Sequence, residues 1–136
     1  MEYDVYKALA VPQPDADLLT VATWRYGQEC GSEKTSMVRS RSTRYRGDLL
    51  VCSTAKPDIP EKSCGTTCGL VELYEVEPTS KGYIWKFRNP RRVVEMPVKA
   101  KSGYHEIKVP KGSITEYPCA MQLGEDGWEI IKKQIH

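Results

Sequence analysis

Residues 34 to 47 read Lys-Thr-Ser-Met-Val-Arg-Ser-Arg-Ser-Thr-Arg-Tyr-Arg-Gly and then enter the apolar segment Leu49-Leu50-Val51-Cys52. This stretch holds five basic side chains and no acid. Lys34 supplies a mobile point charge. Arg39, Arg41, Arg44 and Arg46 supply planar forks of donors that match phosphate oxygens or the acceptor edge of a base. A basic loop anchored at one end by a core strand holds its cations in a set direction, which suits a polyanion or a polar ligand. Tyr45 between two arginines and Trp85 beside Lys86 offer faces on which a base stacks. Asn89 carries both a donor and an acceptor with which to read a base edge. Each also has an ordinary structural role: core packing for Trp85 and Tyr45, a turn cap for Asn89, and a solvated edge for Arg44 and Arg46.

The basic residues are unevenly spread. A second window, 86 to 101, carries Lys86, Arg88, Arg91, Arg92, Lys99 and Lys101 with Glu95 as its one acid. Acids collect in Asp58, Glu61, Glu72, Glu75 and Glu77, and again in Glu116, Glu125, Asp126 and Glu129. If the two windows meet, the molecule carries one positive face; if not, both are solvated loops. The formal charge of +2 is too small for a histone-like polyanion binder, so the distribution matters more than the sum.

Other constellations give less. Cys64 and Cys68 are separated by three residues, whereas structural zinc needs four ligands at paired short spacings. Cys52, His105 and Cys119 complete a set only through a coincidence of the fold, so no metal or other cofactor is expected. A Cys64 or Cys68 nucleophile with His105 has no local support. Glu72, within Leu70-Val71-Glu72-Leu73, is the best acid for a general base, although strand alternation also suits it to a solvent face. No Walker loop, dinucleotide fingerprint or paired-histidine motif is present.

These residues must be positioned by a small fold. With 136 residues and 40% hydrophobic content, the chain has room for one domain, 1–136, around a single core. No window approaches the roughly 18 to 20 apolar residues of a membrane span, and Met1-Glu2-Tyr3-Asp4 lacks a signal-peptide start, so a soluble, cytoplasmic protein with no membrane partner is expected. Five cysteines at irregular spacing give no disulfide framework. The pattern predicts strands at Tyr6 to Val11, Asp48 to Thr54, Gly69 to Glu77, Gly82 to Arg88 and Tyr104 to Val109. Turns are expected at Lys56-Pro57-Asp58, Pro78 to Gly82, Asn89-Pro90 and Lys101-Ser102-Gly103. From Asp15, the spacing of Leu18, Leu19, Ala22 and Tyr26 predicts a helix of about three to four turns. The end, Gly127 to Lys133, fits a strand or a short helix equally. Strands with short turns and one early helix give an α+β class and a small, partly closed barrel.

Several words of the sequence, taken in order, resemble the ASCH domain family of the PUA-like superfamily. They are Ala8-Leu9-Ala10-Val11, Gln13-Pro14, Lys34-Thr35 with Arg39-Ser40, Tyr45-Arg46-Gly47-Asp48-Leu49-Leu50-Val51, Val71-Glu72-Leu73, Asn89-Pro90-Arg91-Arg92 and Pro97-Val98-Lys99. The resemblance covers about residues 5–109 and leaves 110–136 as a C-terminal extension. It implies a small mixed β-barrel with flanking helices, a cleft between the basic loop and the segment after the Trp85 strand, and Lys34 and Arg39 within that cleft. It also implies RNA or nucleotide binding, with some branches acting as N4-acetylcytidine amidohydrolases or ribonucleases.

The chain departs from the family signature Gly-x-Lys-x-x-Glu-x-Arg. Lys34 and Arg39 match, but Ser32 stands where Gly is usual and Met37 where Glu is usual. The amidohydrolase branch places a nucleophilic Thr at the Met37 position, and a thioether has no proton to give and cannot attack an amide in that way. Thr35 and Ser36, displaced along an extended segment, point elsewhere. The expectation is an RNA- or nucleotide-binding domain. Two alternatives stand beside it. One is a nuclease with Lys34 and Arg39 stabilising charge and Tyr45, Glu72 or His105 carrying the proton; the other is a module whose positive face docks an acidic protein.

Overall fold

The segments rich in β-branched and aromatic residues gather into one sheet. The computed structural model describes residues 2–20, 22–25, 28–32, 34–56, 64–99 and 103–116. Its elements are β1 (Tyr3–Val11), α1 (Asp15–Thr20), β2 (Ala22–Arg25), β3 (Gln28–Ser32), β4 (Ser36–Arg39), β5 (Gly47–Ser53), β6 (Thr67–Thr79), β7 (Gly82–Arg92) and β8 (Gly103–Pro110). Six strands form a mixed sheet in the order β4-β7-β6-β5-β1-β8, and β2 pairs with β3 as a separate hairpin. The β1–β5 pair is parallel, with Ala8 opposite Leu50, and the remaining pairs are antiparallel.

The sheet is strongly curled. Trp85 on β7 and Tyr104 on β8 are separated in strand order by β6, β5 and β1; a flat sheet would hold them about 19 Å apart. Their ring centroids are 5.6 Å apart in an edge-to-face contact. One face therefore closes on itself as half of a small barrel. Leu9, Val11, Leu49, Val51, Val71, Leu73, Trp85 and Phe87 fill this concave side together with Ala16 and Leu19 of α1. The alternate residues Ala8, Leu50, Cys52 and Leu70 form a second, smaller cluster on the convex face, where Val93, Val98 and Ile114 pack on them.

The helix is shorter than the spacing of Leu18, Leu19, Ala22 and Tyr26 predicts. It ends at Thr20, whose hydroxyl bonds back to the Ala16 carbonyl, and Ala22 opens a strand instead. Thr20-Val21-Ala22-Thr23-Trp24 is rich in β-branched and aromatic types that lose side-chain freedom in a helix, so the pairing of β2 with β3 wins. Tyr26 lies outside the described residues, as do Pro57-Asp58, Lys101, Cys119 and the 127–133 end. The expected strands are found in their segments, β1, β6, β7 and β8 with longer bounds and β5 shifted by one residue, whereas β3 and β4 are additions to the predicted set.

Asn89-Pro90, expected as a turn, lies inside β7. Leu70 and Glu72 of β6 face Arg91 and Arg88, so β7 carries one extra residue there, and Asn89 takes a positive φ of 54° to absorb it. The bulge reverses the alternation. Arg88 lies on the convex side with Glu72, whereas Arg92 reaches α1, where it donates to Asp17 Oδ1 and Thr20 Oγ1, each at 2.9 Å. The same Asp17 oxygen accepts from Gln13 Nε2 at 3.1 Å. This polar cluster fixes the helix to the sheet.

Candidate functional site

Strand β4 is four residues long and pairs with β7, placing Met37 opposite Trp85 and Arg39 opposite Tyr83. Met37 shares its face with Trp85 and packs on the concave core, while the exposed Val38 points the other way. Arg39, two residues on, also turns to the concave side. Its guanidinium carbon lies 6.0 Å from the Trp85 ring centroid. Trp85 Nε1 holds the loop after β4 by donating to the Arg41 carbonyl at 2.9 Å.

These residues and the start of β8 enclose a cavity of about 450 Å³, lined by Arg39, Ser40, Arg41, Ser42, Trp85, Gly103 and Tyr104. It sits where the two ends of the curled sheet approach. Gly103 makes that approach possible: it has φ of +83°, and a side chain there would stand 2.9 Å from an Arg39 guanidinium nitrogen. Gly103→Ala is expected to displace the Arg39 head and, through its positive φ, to cost about 1 kcal/mol of stability. Urea unfolding together with the NMR shifts of the Trp85 indole would read both effects, and unchanged spectra would show that β8 does not position the guanidinium.

The two basic windows are neighbours through β4 and β7, yet they do not make one positive face. In the second window Lys86 pairs with Glu75 and Glu77 at 3.0 and 3.1 Å, Arg88 with Glu72 at 2.7 Å, Arg91 with Asp48 at 2.6 Å, and Arg92 with Asp17 and Glu95 at 2.9 and 2.8 Å. For Lys86 and Arg88 the cause is cross-strand pairing, because β6 sets its acids opposite these bases of β7, while Arg91 reaches across to Asp48 of β5 and Arg92 to Asp17 of α1 and the nearby Glu95. In the first window Arg39, Arg41, Arg44 and Arg46 have no carboxylate partner among the described residues. Arg46 donates only to the carbonyls of Thr43 and Tyr45. The arginines of the loop thus stay without an acid, as do the scattered exposed Lys56, Lys81, Lys99 and Lys108 among the described residues.

The remaining expected site residues do not all meet there. The Lys34 backbone N–H donates to Leu18, and its ammonium lies 3.7 Å from Asp15, at the α1 end of β4. Trp85 is 2% exposed and belongs to the core, touching the cavity from below. Tyr45 packs partly on the concave core and donates its hydroxyl to the Asp48 carbonyl at 2.7 Å. Burial, then Asp48 and Tyr104, pushes the Tyr45 phenol above its ordinary pKa. Asn89 lies in the β7 bulge, where its carbonyl accepts from Arg91.

Glu72 receives two bonds from Arg88, at 2.9 and 2.7 Å, on the convex face. His105 alternates with Tyr104 and so lies on that face as well, its Nδ1 3.2 Å from the Gly103 carbonyl. Tyr45, Glu72 and His105 therefore do not converge on one reacting atom. Burial pushes the Cys52 thiol up to about 12 and raises that of Cys68, so neither is a ready thiolate. Among the described residues no three His, Cys, Asp or Glu side chains gather as a metal site. No described helix is long and apolar enough to cross a membrane.

Ser40, Ser42, Gly103 and Tyr104 are lining residues that the sequence did not single out. The serines could have been found from their place between arginines, but nothing local marks Gly103 as more than a turn residue. Comparison of the sequence with protein-family models and with curated proteins finds no match.

Proposed function

We propose that this protein is an ASCH-type, PUA-like domain that binds RNA or a nucleotide at the seam of its curled sheet. The cytoplasm is its proposed setting, in keeping with an odd number of irregularly spaced cysteines. One observation carries the reading: Arg39 and Arg41 line a cavity with Trp85 and Tyr104, Arg44 and Arg46 follow on the same loop, and none of the four has a carboxylate partner among the described residues. Lys56, Lys81, Lys99 and Lys108 likewise have no carboxylate partner among the described residues, but they are exposed and scattered, whereas the arginines are gathered along one loop, an arrangement that suits an anion from outside. Arg39 and the serine hydroxyls suit a phosphate or base edge, the aromatic groups suit a base, and Arg41, Arg44 and Arg46 suit the backbone of a longer ligand.

Salt dependence tests this directly. A single strand that engages about three or four phosphates gives a slope of log affinity against log salt of roughly −2 to −3. Arg41→Ala, Arg44→Ala and Arg46→Ala together are expected to flatten the slope to about −1 and to weaken binding to all sequences alike. Fluorescence anisotropy with a labelled oligoribonucleotide reads both. A triple variant that keeps the parental affinity and slope sinks the reading.

A further inference from the structure

One part of the sheet extends past its other described strands. β1 pairs with β5 only from Ala8 onward, whereas Tyr3–Lys7 pair with β8 alone. The first half of β1 and the second half of β8 thus form a two-stranded ribbon beyond the core. Because β1 and β5 run parallel, the segment that precedes β5, which is the arginine loop, lies at the same end of the sheet as this ribbon.

Strand alternation sets Tyr3, Val5, Lys7 and Leu9 on one face, the concave face that holds the cavity. Leu9 is fully buried, but Val5 is 56% and Tyr3 52% exposed. Two of the few large exposed hydrophobic residues therefore sit at successive positions of one face of one strand. The ribbon starts beside the cavity: Tyr104, which lines it, is opposite Leu9, and the next residue on that face, Lys7, hydrogen-bonded to Glu106, lies within electrostatic reach of Tyr104 and Tyr45. Lys108 stands opposite Val5, so cations flank the apolar pair on the ribbon as well as on the loop. Glu106 is the acid on this face, and Lys7 neutralises it.

We propose that the concave face of the β1–β8 ribbon extends the cavity into a track for single-stranded nucleic acid. One nucleotide occupies the cavity, and the following bases rest on Val5 and Tyr3 while Arg41, Arg44, Arg46 and Lys108 attract the phosphates. Stacking apolar surface beside unpaired cations is the chemistry that distinguishes a single strand from a free nucleotide or an acidic peptide. From the Leu9–Tyr104 pair to Tyr3 is six residues of β1, or about 20 Å. That length suits a site of about four nucleotides, the small end of the range for barrel domains that bind single strands.

This inference rests on the binding reading above, and length dependence separates the two. Affinities would be measured for a nucleoside monophosphate and for oligoribonucleotides of two to eight residues, against the parent, Tyr3→Ala with Val5→Ser, and Tyr3→Trp. Expected is a rise in affinity to about four nucleotides and then a plateau. The double variant is expected to lose about tenfold or more for the tetranucleotide and nothing for the mononucleotide, while Tyr3→Trp retains the parental tetranucleotide affinity. Both changed residues are exposed, and far-UV circular dichroism confirms the fold of each variant. Binding without length dependence, or a double variant that binds the tetranucleotide as the parent does, overturns the track and leaves the cavity reading intact. Failure of every nucleic acid to bind overturns the cavity reading itself, and the track with it.

Discussion

Arg39→Ala is expected to weaken oligonucleotide binding by about 10- to 100-fold, whereas Lys34→Ala changes it by less than about threefold. Lys34 lies two residues before β4 and Arg39 ends it, five positions or roughly 16 Å apart along an extended chain, and their heads have different surroundings. The Lys34 ammonium faces Asp15 beside α1. The Arg39 guanidinium lies over Trp85 and against Gly103, with no carboxylate partner among the described residues. An aromatic face below and a backbone beside it hold the fork in place, so little freedom is lost when an anion arrives. Arg39→Lys keeps the charge but loses the fork, and should recover only part of the affinity. Titration of the three variants by anisotropy at one salt concentration decides the matter. Equal losses for Lys34→Ala and Arg39→Ala would show that the two act on one ligand group and that the separation along the chain is irrelevant.

Trp85→Ala is expected to destabilise the fold by about 3–5 kcal/mol, a large share of the roughly 5–15 kcal/mol that holds a domain of this kind together. Trp85 is 2% exposed, contacts Tyr104 across the closing seam and stands opposite Met37 in the β4–β7 pairing. Its removal opens a void at the point where the curl is made. Trp85→Phe should cost less in packing but leaves the Arg41 carbonyl without its indole donor, a loss of about 1 kcal/mol that also frees the arginine loop. Urea unfolding followed by far-UV circular dichroism gives the stabilities, and hydrogen exchange in residues 40–46 reports the loop. A loss below about 1 kcal/mol for the alanine variant would mean that the seam is held by other contacts.

Trp85 illustrates how a site and a core can share one side chain. Its burial makes it a weak stacking platform, yet its edge closes the cavity and its N–H holds the loop that carries the cations. Binding defects in Trp85 variants therefore need a stability measurement beside them, whereas Arg39, a partly buried residue whose removal leaves no large void, can be read from binding alone.

Local pattern was a good guide where local chemistry decides. The strands of β5, β6, β7 and β8 followed from apolar alternation bounded by turn residues, and the tight Thr79–Gly82 connection between β6 and β7 from Pro78-Thr79-Ser80-Lys81-Gly82. The same connection held more information than alternation alone used. Counting outward from it brings Glu77 and Glu75 opposite Ile84 and Lys86, which foretells the ion pairs of Lys86, whereas Glu72 meets Arg88 only through the bulge between Leu73 and Glu75. Helical spacing misled at α1, because Leu18, Leu19, Ala22 and Tyr26 satisfy the period while the β-branched residues among them favour a strand. Asn89-Pro90 misled because the same residue types that make turns also make bulges.

By itself the sequence determined a strand-rich fold with one early helix, most of the strand segments and a basic loop fed into a core strand; each depends on neighbours a few positions apart. Tertiary structure alone decided which cations stay unpaired, that Lys34 and Arg39 face different surroundings, and that the cavity draws Gly103 and Tyr104 to Arg39. The bond from Trp85 to Arg41 joins residues 44 positions apart, and the seam joins strands at opposite ends of the sheet order. Contacts at such separations arise from the curl, which is the sum of twist and packing over six strands, and no short window of residues records it.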